Sequence, residues 1–319
     1  MNRIVRIMAG LGFAAVSALA HAQYPARPIS MVVPFPPGGT SDSLARILAD
    51  SVSKSLGVPV VVENKPGAEG QLAAQDVSKA TPDGYRIGLV TSGNLSALPP
   101  LRRVPPYDPV KDFTPIVDVG RYAFFLYVHP TVPVKSFKEF VAYAKANPGK
   151  ISYGTGNNTG VLAMAQFKSM FGLDMNHVPY KGEPPATLDL VANRVQAMVG
   201  TGAGLNLVKD GKLRALVALI PERSPLAPDV PVMRELDMGE FPVELWAAIV
   251  GPAGLPKDVV ETLNKAFVAA LNQDSVKKQI EGWGFAVTPS TPEQLAQLIR
   301  VQAGAYKKLI EDIGMQPLQ

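Results

Sequence analysis

The chain contains no cysteine among its 319 residues. That excludes disulfide staples, thiolate catalysis and any sulfur-ligated metal site. Histidine is scarce, with three in the whole sequence. His129 and His177 lie far apart, and neither has carboxylates nearby at metal-ligand spacing, so no metal and no cofactor is expected. There is no G-x-S-x-G elbow and no recognisable Ser-His-Asp set, which counts against an enzyme. A strong charge excess is missing too: 31 basic side chains face 27 acidic ones. With aromatics scattered singly and no basic stripe, nucleic acid is not an expected partner. After the first twenty or so residues, no stretch is apolar enough to cross a bilayer.

What is present begins with an export signal. Arg3 and Arg6 precede an apolar stretch from Ile7 to Ala20, and Ala20-His21-Ala22 reads as a cleavage site. Residues 1–22 are therefore expected to be a signal peptide, with the mature chain starting at Gln23. An exported chain without disulfides has to be stabilised by its core, and this one is long enough for two lobes.

The remainder alternates strand-like and helix-like segments, the pattern of an α/β fold with parallel sheets. "ISMVVPF" reads as a buried strand. The helix after it places Leu44, Ile47, Leu48, Val52 and Leu56 on one face, and Gly57 stops it. "VPVVVENK" and "YRIGLVTS" are further strands. A second series opens with "AFFLYVH" near Phe124, where Ser136 and Glu139 predict a capping box on the next helix. It continues through "ISYGTG", "MNHVPY", "VQAMVGT" and "LRALVAL" to "LWAAIVGP". Two helices follow, one opened by Pro256 and one started by Thr291, Pro292 and Gln294. No long linker divides the series. The two long apolar runs that flank the second one are expected to cross between lobes. Lobe one would then comprise 23–122 plus 245–319, and lobe two 123–244.

Each series contains a strand that enters a glycine-rich loop and then a helix. In "PFPPGGTSD", Gly38 and Gly39 are followed by Thr40, Ser41 and Asp42. A helix start of this kind leaves several N–H groups pointing outward and carries partial positive charge, which suits a carboxylate or phosphate. A stiff turn with an ordinary helix cap explains the same residues equally well. "YGTGNNTG" has the same character, with Thr155, Gly156, Asn157, Asn158 and Thr159. Its glycines are spaced G-x-G-x-x-x-G, so it does not match the dinucleotide fingerprint, and no P-loop lysine is present. Ligands of open α/β sheets sit beyond the carboxyl ends of the strands. Two such helix starts, one per series, suit a ligand held in a cleft from both sides. Other strand-end loops offer Thr91, Ser92, Tyr180, Lys181 and Thr201 to the same cleft, while Phe35 could supply an apolar face. A solvated surface position is the ordinary fate of a lysine such as Lys181.

Taken in order, "YPARPISMVVPFPPGGTSDSLARILAD", "VVENKPGAEG", "TPDGYRIGLVTSG", "PYDPVKDFTPI", "HVPYKG", "GKLRALVAL", "RSPLAPDVPVMRE" and "GPAGLPKDVVETLNKA" resemble the Bug-type solute receptors of tripartite tricarboxylate transporters. The resemblance covers nearly the whole mature chain. It implies a two-lobed periplasmic binding protein that captures a small carboxylate between its lobes and delivers it to membrane subunits. A monomer is expected. In that family the loops corresponding to Phe35–Asp42 and Thr155–Thr159 hold one carboxylate, largely through backbone N–H groups, hydroxyls and water. The chain departs from the family pattern at "VLAM", where many relatives are polar, and at Gly200, where many carry an acid. With Gly200 leaving that wall uncharged, a dicarboxylate or aromatic acid is expected in preference to an α-amino acid. A receptor for a membrane signalling protein would need the same cleft. An exported hydrolase would need a nucleophile or metal that the sequence does not offer.

Overall fold

The computed structural model describes residues 24–316. The expected signal peptide, residues 1–22, lies outside the described residues. The chain forms two mixed sheets flanked by helices, an α/β fold in two lobes.

The first sheet starts from β1 (Ile29–Val33), which pairs in parallel with β2 (Val60–Asn64) and with β3 (Arg86–Thr91). Between β1 and β2 runs α1 (Thr40–Leu56). Leu44, Leu48 and Val52 recur every fourth residue and are buried, which gives α1 its inward stripe. Gly57 ends the helix in the left-handed conformation, and its N–H bonds back to the Ser53 carbonyl. A shorter helix, α2 (Gln71–Ser78), connects β2 to β3.

β4 (Phe113–Tyr122) then crosses the sheet and passes directly into β5 (Phe124–Val128) of the second sheet, with Ala123 as the junction. β4 was not foreseen from the sequence. Pro115, Asp118, Gly120 and Arg121 interrupt its apolar pattern, and its pairing is correspondingly irregular.

The second sheet contains β5, β6 (Ser152–Thr155), β7 (Asn176–Pro179), β8 (Ala197–Thr201) and β9 (Arg214–Ala218), in the order β7-β6-β8-β5-β9. Its helices are α3 (Phe137–Ala146), α4 (Asn158–Phe171), α5 (Glu183–Val191) and the short α6 (Leu205–Lys209). Ser136 caps α3 by accepting from the Glu139 N–H, but the Glu139 carboxylate takes the Lys135 N–H rather than closing the expected box.

The chain returns through β10 (Trp246–Pro252), which lies antiparallel between β3 and β4. The helices α7 (Lys257–Leu271), α8 (Asp274–Glu281) and α9 (Pro292–Asp312) and the short edge strand β11 (Phe285–Val287) complete this lobe. The Thr291–Gln294 box at the start of α9 forms in both directions. The expected parallel strands are present, but β4, β5 and β10 run antiparallel to their neighbours, because each enters or leaves its sheet from the other lobe. Among the described residues no helix is long and apolar enough to cross a membrane.

Candidate ligand-binding site

The carboxyl ends of β1, β3, β6 and β8 converge where the lobes meet. A cavity of about 40 Å³ lies there, lined by residues of both lobes. That is room for about three waters. From lobe one come Phe35, Gly39, Thr40, Ser41, Thr91, Ser92 and Tyr122; from lobe two come Phe124, Gly156, Asn157, Thr159, Glu183, Pro184 and Thr201.

Two helix starts face this space. α1 begins after Gly39, whose extended backbone precedes the first turn and which supplies no capping side chain. The N–H groups of Thr40 and Ser41 have no carbonyl one turn earlier to bond. α4 is capped by Asn157, whose Oδ1 accepts from the Gly160 N–H at 2.8 Å. The N–H groups of Asn158 and Thr159 are left in the same position. Both helix ends therefore direct partial positive charge at one small volume, and among the described residues no lysine or arginine lines it.

The lobes are latched across the cleft. Thr40 Oγ1 and Thr201 Oγ1 share a hydrogen bond of 2.8 Å, and Asn158 Nδ2 donates to the Gly93 carbonyl at 2.9 Å. Pro36 lies against Gly182, where an added Cβ would meet its Cδ at 2.6 Å. The opposing loops close this tightly only because Gly182 has no side chain.

Several residues expected in the cleft are occupied elsewhere. Asp42 holds the first loop in shape: it accepts from the Gly38 N–H, from Asn64 and from Arg46. Burial raises its carboxyl, but these hydrogen bonds and the Arg46 charge outweigh that and hold it below the ordinary carboxylate range. Asn64 also donates to the Phe35 carbonyl, so Asp42 and Asn64 brace both ends of the glycine turn. Gly38 takes positive φ (+84°) in that turn and does not line the cavity. Thr155 Oγ1 pairs with His177 Nε2, whose ring stacks on Tyr153. The Tyr180 hydroxyl donates to Asp189, and Lys181 is solvent-exposed. Asn158 spends its amide on the lobe contact. Phe35, Gly39, Thr40, Ser41, Thr91, Ser92, Gly156, Asn157, Thr159 and Thr201 are brought together as the sequence suggested.

Tyr122, Phe124, Glu183 and Pro184 were missed. Tyr122 shares a 2.8 Å hydrogen bond with Ser41 Oγ and packs edge-on against Phe285. The largest correction concerns Gly200. The wall there does carry an acid: a Cβ on Gly200 would lie 2.8 Å from Glu183 Oε1, so the Glu183 carboxyl fills the space that a side chain would take. Glu183 Oε1 accepts from the Thr201 N–H at 2.7 Å and from Thr201 Oγ1 at 2.9 Å. Burial pushes this carboxyl up to about 7, against the lowering effect of the two Thr201 bonds. The folded state thus holds a proton that the unfolded state releases near 4.5. Stability of the unliganded protein should fall as pH rises from about 4.5 to about 7 and change little from this group above that. Glu183→Gln should flatten that part of a thermal-unfolding profile; an unaltered slope would show that another group carries it.

A family profile described as tripartite tricarboxylate transporter family receptor matches residues 44–315. The chain belongs to this family of solute-binding receptors. Three solved structures share its fold closely. The periplasmic binding protein BugD is 33% identical with a TM-score of 0.88, covering 92% of this chain and 99% of its own. Rpa4515 from R. palustris, solved with adipate, is 30% identical with a TM-score of 0.88, covering 92% and 100%. MatC from Rhodopseudomonas palustris, with bound malate, is 30% identical with a TM-score of 0.86, covering 90% and 100%.

Proposed function

We propose that this receptor captures a small carboxylate, a dicarboxylate or aromatic acid before others, and delivers it in the periplasm to the membrane subunits of a tripartite tricarboxylate-type transporter. The observation that carries this reading is the pair of helix starts, α1 and α4, aimed from two lobes at one cavity without a cationic side chain. A carboxylate there is held by N–H groups and the hydroxyls of Ser41 and Thr159. Adipate and malate in the two related structures support the ligand class. The lobes divide at the Tyr122–Ala123 and Glu244–Leu245 crossings, and the assignment of the strands to two sheets supports that division. Opening about these crossings admits the ligand, and the Thr40–Thr201 and Asn158–Gly93 contacts favour the closed state, which the ligand populates further by binding it better.

A thermal-shift screen of mono-, di- and tricarboxylates, aromatic acids and amino acids tests the reading. A ligand at a hundred times its dissociation constant adds roughly 2.7 kcal/mol to the native state. Silence from every carboxylate overturns it. Thr159→Ala should weaken the best ligand about tenfold, since a hydrogen bond to a charged group is worth roughly 1.5–3 kcal/mol. Calorimetry showing unchanged affinity for both Thr159→Ala and Ser41→Ala would remove these hydroxyls from the site.

A further inference from the structure

Among the described residues, Glu183 is the single acidic side chain lining this cavity, and no lysine or arginine lines it to offset a second negative charge. Its two oxygens are unequal. Oε1 accepts both Thr201 bonds, while among the described residues no donor reaches Oε2. A neutral carboxyl matches this arrangement: its carbonyl oxygen accepts twice and its hydroxyl remains free to donate. An ionised one would set a second negative charge beside the ligand's own carboxylate.

The surroundings favour the neutral form once an anion is present. Tyr122 and Tyr127 are the titratable groups facing Glu183 from β4 and β5, and burial keeps both phenols protonated far above neutrality. On its own helix, Asp189 is tied to Tyr180 and Arg194. From the strands packed against α5, His177 is bonded to Thr155, and Tyr153 lies beneath its ring. Lys181, two residues before Glu183, is exposed. The amino end of α5 acts in the opposite direction by favouring the anion, which keeps the carboxyl poised rather than permanently protonated. Two carboxylates sharing such a site cannot both ionise cheaply.

We propose that Glu183 selects for carboxylates by carrying a proton: Oε2–H donates to a ligand oxygen, and wherever the free carboxyl is ionised, a carboxylate entering the cavity is accompanied by one proton taken from solvent onto Glu183. This rests on the carboxylate reading above and adds the charge balance of that site. It also replaces the uncharged wall as the reason for rejecting α-amino acids, because a protonated Glu183 offers an ammonium group no anionic partner.

The test is isothermal calorimetry of the full mature chain with succinate, adipate and aspartate, in buffers of different ionisation enthalpy, between pH 6 and pH 9. If only the protonated receptor binds, affinity should fall about a hundredfold from pH 6 to pH 9, and close to one proton should be taken up per diacid at pH 8. Glu183→Gln should bind without proton uptake and with a flat pH profile, since its amide can donate but cannot titrate. A flat wild-type profile without uptake overturns the proposal, as does uptake that persists in Glu183→Gln. Tighter binding of aspartate than of either diacid, without uptake, also overturns it, by assigning an ionised Glu183 to the ammonium group. Should the variant fail to fold, the wild-type proton count still decides. Failure of every acid to bind would instead overturn the carboxylate reading and this assignment with it.

Discussion

Gly156→Ala is expected to abolish ligand binding, with affinity lost by about a hundredfold or more, equivalent to roughly 2.7 kcal/mol. Gly156 sits between β6 and α4, where the second loop presses on the start of α5. An added Cβ would lie 2.4 Å from the Gly182 carbonyl carbon, 2.4 Å from the Glu183 nitrogen and 2.5 Å from the Gly182 oxygen. These are backbone atoms, so no side-chain rotation relieves the clash. The loop carrying Asn157 and Thr159 would have to separate from the segment carrying Glu183, and both line the same cavity. Gly304→Ala in α9 is the matched control, because nothing lies within 4 Å of its added Cβ and it has no positive φ. It should bind normally and gain slightly in stability. Calorimetry on the two variants checks this, and wild-type affinity in Gly156→Ala would show that the loop is not held where the cavity places it.

The second large effect is expected from Gly120→Ala, with a loss of roughly 2–5 kcal/mol in stability from overpacking and backbone strain together. Gly120 has φ of +150° in β4 and pairs with Val287 of β11. A Cβ there would stand 2.0 Å from the Ala286 carbonyl oxygen and 2.5 Å from the Phe285 ring. The edge strand must therefore move away. Phe285 packs on Tyr122 with ring centroids 4.7 Å apart, and Tyr122 holds Ser41 at the cleft. The damage should thus reach the site, lowering the unfolding midpoint and weakening ligand binding in the same variant. An unfolding curve that superimposes on the wild type would show that β11 contributes little.

Much of this protein was legible in its sequence, for physical reasons that act locally. The stripe of Leu44, Leu48 and Val52, the Gly57 stop and the Thr291–Gln294 box depend on residues within a few positions of one another, and all form. The two glycine-rich loops announce helix starts beyond strand ends, which is where the cavity lies. An ordered set of motifs along the whole chain carried the family.

What escaped was decided by packing between distant segments. β4 could not be read, because its polar and glycine positions are explained only by the partners on either side of it. Asp42 has the residue type and position of a ligand contact, yet Arg46 and Asn64 claim it, and the Asn64 bond spans 22 positions. Glu183 looks like an ordinary first-turn acid. It becomes the acidic wall of the cavity because Gly200, on another strand, leaves the space that its carboxyl enters. Thr40 and Thr201, 161 positions apart, meet only when the lobes close. Helix starts and their partial charges follow from neighbouring residues, so the sequence by itself determined that each half places a helix start beyond a strand end. Which side chains face that site depends on where one backbone leaves room for another, and only the tertiary structure decided that.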